Sequence, residues 1–326
     1  MSIRTMNKVL LLAVFAIISL TADSQNIDKT NDMDNKETLR LIYPQWQGGV
    51  IDRLITDIPA ADASRGYVLG AHLLNFLAPD NGQRTAEVPV SLDINDREVK
   101  NGINSYDAIV RQTEAALDIL NKENPQRIVT LGGDCAVSVA PFAYLLSKYP
   151  DDVAVVWIDA HPDITLPGDA YTGYHAMALT AVMGMGDSEI MEMLPAKVNP
   201  DKALIVGLRA WDEEVIPERQ KQLGLKSVSS AETRENSRVV LDWLKGTGVS
   251  KVVIHFDLDV LDPSEIIAAV GTDPDGMKIA EVIRVINDIA REYDVVGLTV
   301  AEPMPRTAIK IRNMLNELPL MRYIKH

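Results

Sequence analysis

The sequence predicts an α/β protein built on an open, mainly parallel sheet that is covered by helices on both faces. Three observations carry this expectation. Short Val- and Ile-rich runs recur along the chain, stretches of helical period separate them, and acidic clusters stand at the ends of several runs. A strand buried on both faces has no polar side to show, so it reads as an unbroken apolar run, and that is the mark of a parallel sheet under two helical layers.

Taken in order, Arg127 to Leu131 reads as a strand and Val137 to Lys148 as the helix that follows it. Val153 to Asp159 is the next strand, and Ala203 to Gly207, Lys251 to Asp257 and Asp294 to Val300 have the same character. Between the last two, Lys278 to Glu292 places Ile279, Val282, Ile283, Val285, Ile286 and Ile289 at helical spacing. Gly132 and Gly133 are expected to allow a tight backbone turn after the first of these strands. No internal repeat or low-complexity linker interrupts residues 38–326, which read as a single domain.

Composition narrows the function. The chain has 326 residues, 47% of them apolar, and a formal net charge of -14. No lysine- or arginine-rich tract offsets that acidity, so nucleic acid is not an expected partner, whereas a cationic small molecule suits a negative cleft. The first residues follow other rules. Arg4 and Lys8 precede the apolar run Val9 to Leu20, and small and polar residues follow to Ser24. Residues 1–24 therefore read as an export signal, and residues 25–37 as a flexible lead-in. A periplasmic or secreted location follows, or a membrane-anchored one if the segment is uncleaved; its apolar run of about 12 residues is short for a span.

An exported chain often carries disulfides, but Cys135 is the single cysteine and has no partner within the chain. It stands in Gly132-Gly133-Asp134-Cys135, one of three clusters at strand ends. The others are Asp159-Ala160-His161-Pro162-Asp163 and His255-Phe256-Asp257-Leu258-Asp259. If the backbone stays extended, Asp159, His161 and Asp163 share one face, as do His255, Asp257 and Asp259. Carboxylates, imidazole and thiolate in that number suit a metal site that activates water. Asp134 has an ordinary alternative as a cap of local backbone, and His255 as a structural histidine. The oxygen-rich donor set makes manganese the first expectation for two divalent ions, while Cys135 admits Zn2+, Fe2+, Co2+ or Ni2+.

These motifs resemble the ureohydrolase family, whose members include arginase, agmatinase and formimidoylglutamase. The resemblance extends over nearly all of the mature chain, through Leu131 to Ala136, Trp157 to Asp163, Tyr174 to Met177, Gly207 to Asp212, Phe256 to Pro263, and Glu302. It implies a three-layer arginase-like fold, two metal ions and hydrolysis of guanidino or amidino compounds, commonly in homotrimers or homohexamers. By the same resemblance Asp159 and Asp257 bridge the metals, Cys135 and Asp163 are terminal ligands to one, and His161 and Asp259 are terminal ligands to the other. His175 is then the proton shuttle and Glu302 the acid that holds the guanidinium, with Tyr174 and Asp212 at the substrate. Cys135 departs from the family pattern, which has histidine there. Ala210 stands where an acid is usual, and Tyr171-Thr172-Gly173-Tyr174 lacks the asparagine characteristic of arginase. The expected reaction is arginine to ornithine and urea. The alternatives are agmatine, guanidino-acid or formimino-compound hydrolysis, or a catalytically inactive metal-binding homologue.

Overall fold

The computed structural model describes residues 37–51, 54–211 and 213–321. Eight strands form one sheet: β1 (Thr38–Tyr43), β2 (Arg84–Glu87), β3 (Arg127–Gly132), β4 (Val153–Ile158), β5 (Ala203–Val206), β6 (Lys226–Val228), β7 (Lys251–Asp257) and β8 (Asp294–Ala301). Their order is β2-β1-β3-β8-β7-β4-β5-β6, and all the pairings are parallel. The longer helices are α1 (Gly66–Leu77), α2 (Tyr106–Glu123), α3 (Val139–Lys148), α4 (Val215–Leu223), α5 (Arg238–Thr247), α6 (Ile279–Glu292) and α7 (Arg306–Asn316).

The residues of β4 show why the strands are apolar throughout. Val153, Val155 and Trp157 enter one buried cluster together with residues of α2 and α3, while Ala154, Val156 and Ile158 enter a second with residues of α5 and α6. Successive side chains point to opposite faces, so helices on both sides demand an apolar residue at every position. Each buried Val, Leu or Ile contributes about 1.5–3 kcal/mol. In α6 the predicted period is realised with Val282, Val285 and Ile289 buried and Ile283 exposed. The Glu281 side chain accepts from the backbone N–H of Lys278 and sets its start.

Chain order places the chemistry. β3 and β4 are consecutive of these two in sequence yet lie apart in the sheet, with β8 and β7 between them. Connections leaving β3 and β4 therefore diverge, and a crevice opens beyond the carboxyl ends of these four central strands. Cys135, Glu302, Asp257 and Asp159 lie at or just past those ends.

The expected turn after β3 is present, as a bend at Gly133 and Asp134, but the reason its glycines are needed is corrected. Neither Gly132 nor Gly133 has a positive φ. Gly133 is required for close approach instead, because a Cβ there would lie 1.7 Å from the carbonyl oxygen of Gln45. The expected location is corrected as well. No helix among the described residues is long and apolar enough to cross a membrane, and the export or anchoring segment 1–24 lies outside the described residues, as does nearly all of the lead-in 25–37. An exported, periplasmic, secreted or membrane-anchored location therefore has no support from the described residues.

Candidate metal centre

The expected extended backbone does not run through the acidic clusters. β4 stops at Ile158, and β7 stops at Asp257, where a 3-10 turn begins at Leu258. Asp163 reaches the site through a left-handed backbone, φ 50°, and Glu302 does so with φ 61°. Non-glycine residues adopt that region at a cost of about 1–3 kcal/mol, and they concentrate where function fixes the backbone. Glu302 is held in place by its N–H, which donates to Gly133 O at 2.7 Å.

Asp134 takes its ordinary role. Its carboxylate accepts from the N–H groups of Ala136 and Gly48, at 3.0 and 2.8 Å, and from Gln45 Nε2 at 3.1 Å. It caps the 3-10 turn Cys135–Ser138 and so aims Cys135 across the end of β8 and β7. The Cys135 thiol lies 3.0 Å from Asp257 Oδ2 and 3.4 Å from Glu302 Oε1.

Three groups of donors have their ligand atoms within 4.8 Å of one another: Cys135, Asp159, His255 and Asp257; Asp159, His161 and Asp259; and Cys135, His175 and Glu302. Asp159 belongs to the first two and is fixed from below by Trp157 Nε1 at 2.9 Å and from its own loop by the His161 N–H at 2.7 Å. His161 Nδ1 is 3.0 Å from Asp259 Oδ2, and its Nε2 is 3.5 Å from Asp273, an outer acid that sets the ring's direction. The Asp259 N–H donates to Asp257 Oδ1 at 2.6 Å.

Burial pushes the Asp159 carboxyl up to about 6 and raises Asp163 and Asp257 well above the ordinary carboxylate range, with neighbouring carboxylates adding to each shift. Burial also raises the Cys135 thiol, and Asp163, Asp257 and Asp159 raise it further. For His161 burial opposes the charge, yet Asp259 and Asp159 outweigh it and the pKa rises. Asp259 falls to about 2 against its own burial because of His161. Glu302 is pushed up to about 8 by burial, and His175 down to about 4 by the same cause.

This donor set fits divalent cations. Acids crowd a buried space with a single favoured imidazolium among them, so added positive charge would relieve both their repulsion and their lost hydration. Asp163 Oδ2 and His255 Nε2 are buried without a hydrogen-bond partner among the described residues. Oxygen, nitrogen and sulfur donors in two groups that share Asp159 can hold a pair of divalent ions.

A cavity of about 630 Å3 opens above these donors. Cys135, His161, Asp163, His175, Asp257, Asp259 and Glu302 line it, and Asp159 lies buried beneath. Its outer wall includes Ile51, Leu54, Tyr171, Glu213 and Val270, with no lysine or arginine among the described lining residues. Tyr174 is buried away from the cavity; the nearby wall residue is Tyr171, whose hydroxyl is 2.7 Å from His175 Nε2. Asp212 lies outside the described residues. Sequence reading missed Tyr67, on α1, whose hydroxyl donates to Glu302 Oε2, and Glu213, which accepts from the Tyr171 N–H at 3.1 Å. No local pattern marks Tyr67, since it lies far from Glu302 in the chain.

The Arginase family model matches residues 74–316, most of the chain. The chain belongs to the arginase family. An arginase from Staphylococcus aureus (strain MRSA252) is 28% identical over 180 residues, which are 51% of this chain and 57% of that protein. This arginase-family chain thus matches little more than half the length of that relative. Arginase 1, mitochondrial, from Arabidopsis thaliana is 26% identical over 235 residues, 70% of this chain and 64% of that one. Among solved structures, Entamoeba histolytica arginase in complex with L-ornithine superposes with a TM-score of 0.67 at 17% identity, covering 83% of this chain and 92% of that one. The agmatine ureohydrolase of Thermoplasma volcanium gives 0.55 at 16% identity, covering 86% and 88%. The three-layer arginase-like α/β fold is shared, and this family member brings a cysteine to its metal-binding cluster.

Proposed function

We propose that this arginase-family chain hydrolyses a guanidino or linear amidine compound in the cavity above Cys135, His161 and Asp257. The placement of Glu302 carries the reading. Its carboxylate lies on the same cavity as both donor groups, fixed by the Cys135 N–H at 3.1 Å and by the Tyr67 hydroxyl, and 3.4 Å from His175 Nδ1. Burial favours the neutral acid, but a guanidinium beside Glu302 favours its ionised form, and a carboxylate so fixed can receive paired N–H bonds from that planar cation and present its central carbon to the donor clusters.

Cys135, Asp159 and Asp257, with Asp163 beside them, would hold one divalent cation, and Asp159, His161 and Asp259 the other; such ions would supply water of lowered pKa and positive charge near the reacting carbon. Glu302 orients the substrate cation. Burial keeps the His175 ring neutral near neutral pH, and the Tyr171 hydroxyl fixes its direction with Nδ1 toward Glu302. From there His175 can carry a proton to the departing amine. The acidic, lysine- and arginine-free described lining suits a cationic substrate, and Glu213 offers a second carboxylate toward the mouth.

Arginine, giving ornithine and urea, is the first substrate of the proposal, and agmatine shares the same head group. Purified protein supplied with divalent metals should release urea from one of them, and a panel including guanidino acids and formimino compounds should be followed for ammonia as well. Urea from agmatine alone would move the assignment to the amine, and ammonia without urea would move it to a formimino compound. No product from any compound across metals and pH would remove the hydrolytic reading.

A further inference from the structure

His255 is the most unusual group in this molecule that the proposed hydrolysis leaves unused. It lies in β7, in register with Trp157 of β4, and its ring stacks on the indole with centroids 3.7 Å apart and planes 8° apart. Nδ1 is 2.8 Å from Ser138 Oγ, so both the face and one edge of the imidazole are fixed. The residue is fully buried, and among the described residues Nε2 has no hydrogen-bond partner.

What Nε2 faces is decisive. It is 3.9 Å from Asp159 Oδ2, and a nitrogen of this ring lies within 4.8 Å of the Cys135 thiol and the Asp159 and Asp257 carboxylates, which themselves converge. A ring nitrogen left unpaired in a dry interior is costly, and so are carboxylates buried close beside one another. A cation among the four relieves both. The four donors come from three places: the turn after β3, the end of β4, and two alternate residues of β7, so the same strand geometry that buries His255 also places it beside Asp257.

We propose that His255 is a metal ligand, and that Cys135, Asp159, His255 and Asp257 form a mixed sulfur, nitrogen and oxygen site that prefers zinc to manganese. The inference rests on the cavity being a metal centre, and not on any hydrolysis taking place there. Thiolate and imidazole are softer donors than carboxylate, and both rank zinc well above manganese, whereas an all-oxygen site suits manganese. The cysteine that departs from the family pattern and the buried histidine behind it then form one unit: the second nitrogen of His255 bonds Ser138, the usual way a ligating ring is oriented.

The test uses the full chain, stripped of metal and dialysed against equal concentrations of Zn2+ and Mn2+, with elemental analysis of what is retained. The first equivalent should be zinc by at least tenfold. X-ray absorption at the zinc edge of that sample should show one sulfur at about 2.3 Å and imidazole scattering. His255→Asn should weaken zinc at least tenfold and remove the imidazole contribution, while Cys135→Ser should remove the sulfur. Equal or greater manganese retention, or a His255→Asn zinc spectrum and affinity like those of the unaltered protein, would overturn the proposal. The absorption spectrum of the unaltered protein decides the question even if His255→Asn does not fold. Zinc held in this way by a chain that hydrolyses nothing would leave the inference standing and remove only the proposed activity.

Discussion

Arg219 grips Asp169 with both terminal guanidinium nitrogens, at 2.5 and 2.9 Å, and adds a bond to Ile164 O at 2.9 Å. The two side chains are 14% exposed each, so the pair is shielded from water. Asp169 also accepts from the Leu166 N–H, which makes it the hinge pin of the loop that carries Tyr171 and His175. α4 thus fixes, from outside, a loop that contributes to the cavity.

Arg219→Ala should cost about 2–3 kcal/mol of stability and loosen the Tyr171 loop. The hydrogen bonds from Arg219 hold the Asp169 carboxyl below its ordinary value. A group with a depressed folded pKa stabilises above its unfolded pKa and loses that contribution as pH falls through the folded one. The stability gap between the unaltered chain and Arg219→Ala should therefore be full above about pH 4–5 and shrink at lower pH. Urea melts across that range check it, and a gap independent of pH would remove the role given to the pair.

Glu302→Gln keeps the shape of the side chain and removes its charge. Turnover of a guanidino substrate should fall about 100- to 1000-fold, with metal content unchanged. Tyr67→Phe leaves Glu302 Oε2 without its hydroxyl donor and should cost about tenfold in kcat/KM. Elemental analysis beside steady-state kinetics separates loss of substrate binding from loss of metal.

Tyr171→Phe removes the bond to His175 Nε2 while leaving the ring on the cavity wall. A fall of about five- to tenfold in kcat with KM little changed is expected, because orientation of the imidazole matters in proton transfer rather than in binding. Equal kinetics in the two proteins would take His175 out of the proton path.

Removing divalent metal with a chelator should lower the melting temperature, since Asp159, Asp163 and Asp257 are buried together. Metal at about a thousand times its Kd should restore about 4 kcal/mol. Calorimetry with and without added metal is the check, and an unchanged transition would argue against these acids as ligands.

Gly133→Ala should destabilise by about 3 kcal/mol or more, because the new methyl group would meet Gln45 O and push β1 away from β3. Denaturant unfolding measures it directly.

Much of this was legible along the chain. The runs at Arg127, Val153, Lys251 and Asp294 are strands almost to the residue, because a strand buried on both faces leaves a purely apolar trace. β2, with Arg84, Thr85, Ala86 and Glu87, leaves no such trace: it is an edge strand, largely exposed, and it forms only because β1 offers it a partner. Cys135, Asp159, His161, Asp163, Asp257 and Asp259 were readable as one cluster, since each stands just beyond an apolar run. Their directions were not. Alternation fails past Ile158 and Asp257, and the left-handed backbones of Asp163 and Glu302 depend on what packs around them.

The sequence by itself determined the class of sheet, the identity of the donors and the departure at Cys135, because periodicity and residue chemistry are local properties. Only the tertiary structure decided that Tyr67 supports Glu302, that Tyr171 lies on the cavity wall, and that His255 turns an unpaired nitrogen toward Cys135 and Asp159. Those relationships join residues from separate strands and helices. They exist only once the order of strands in the sheet has brought their ends together, and no spacing along the chain encodes that order.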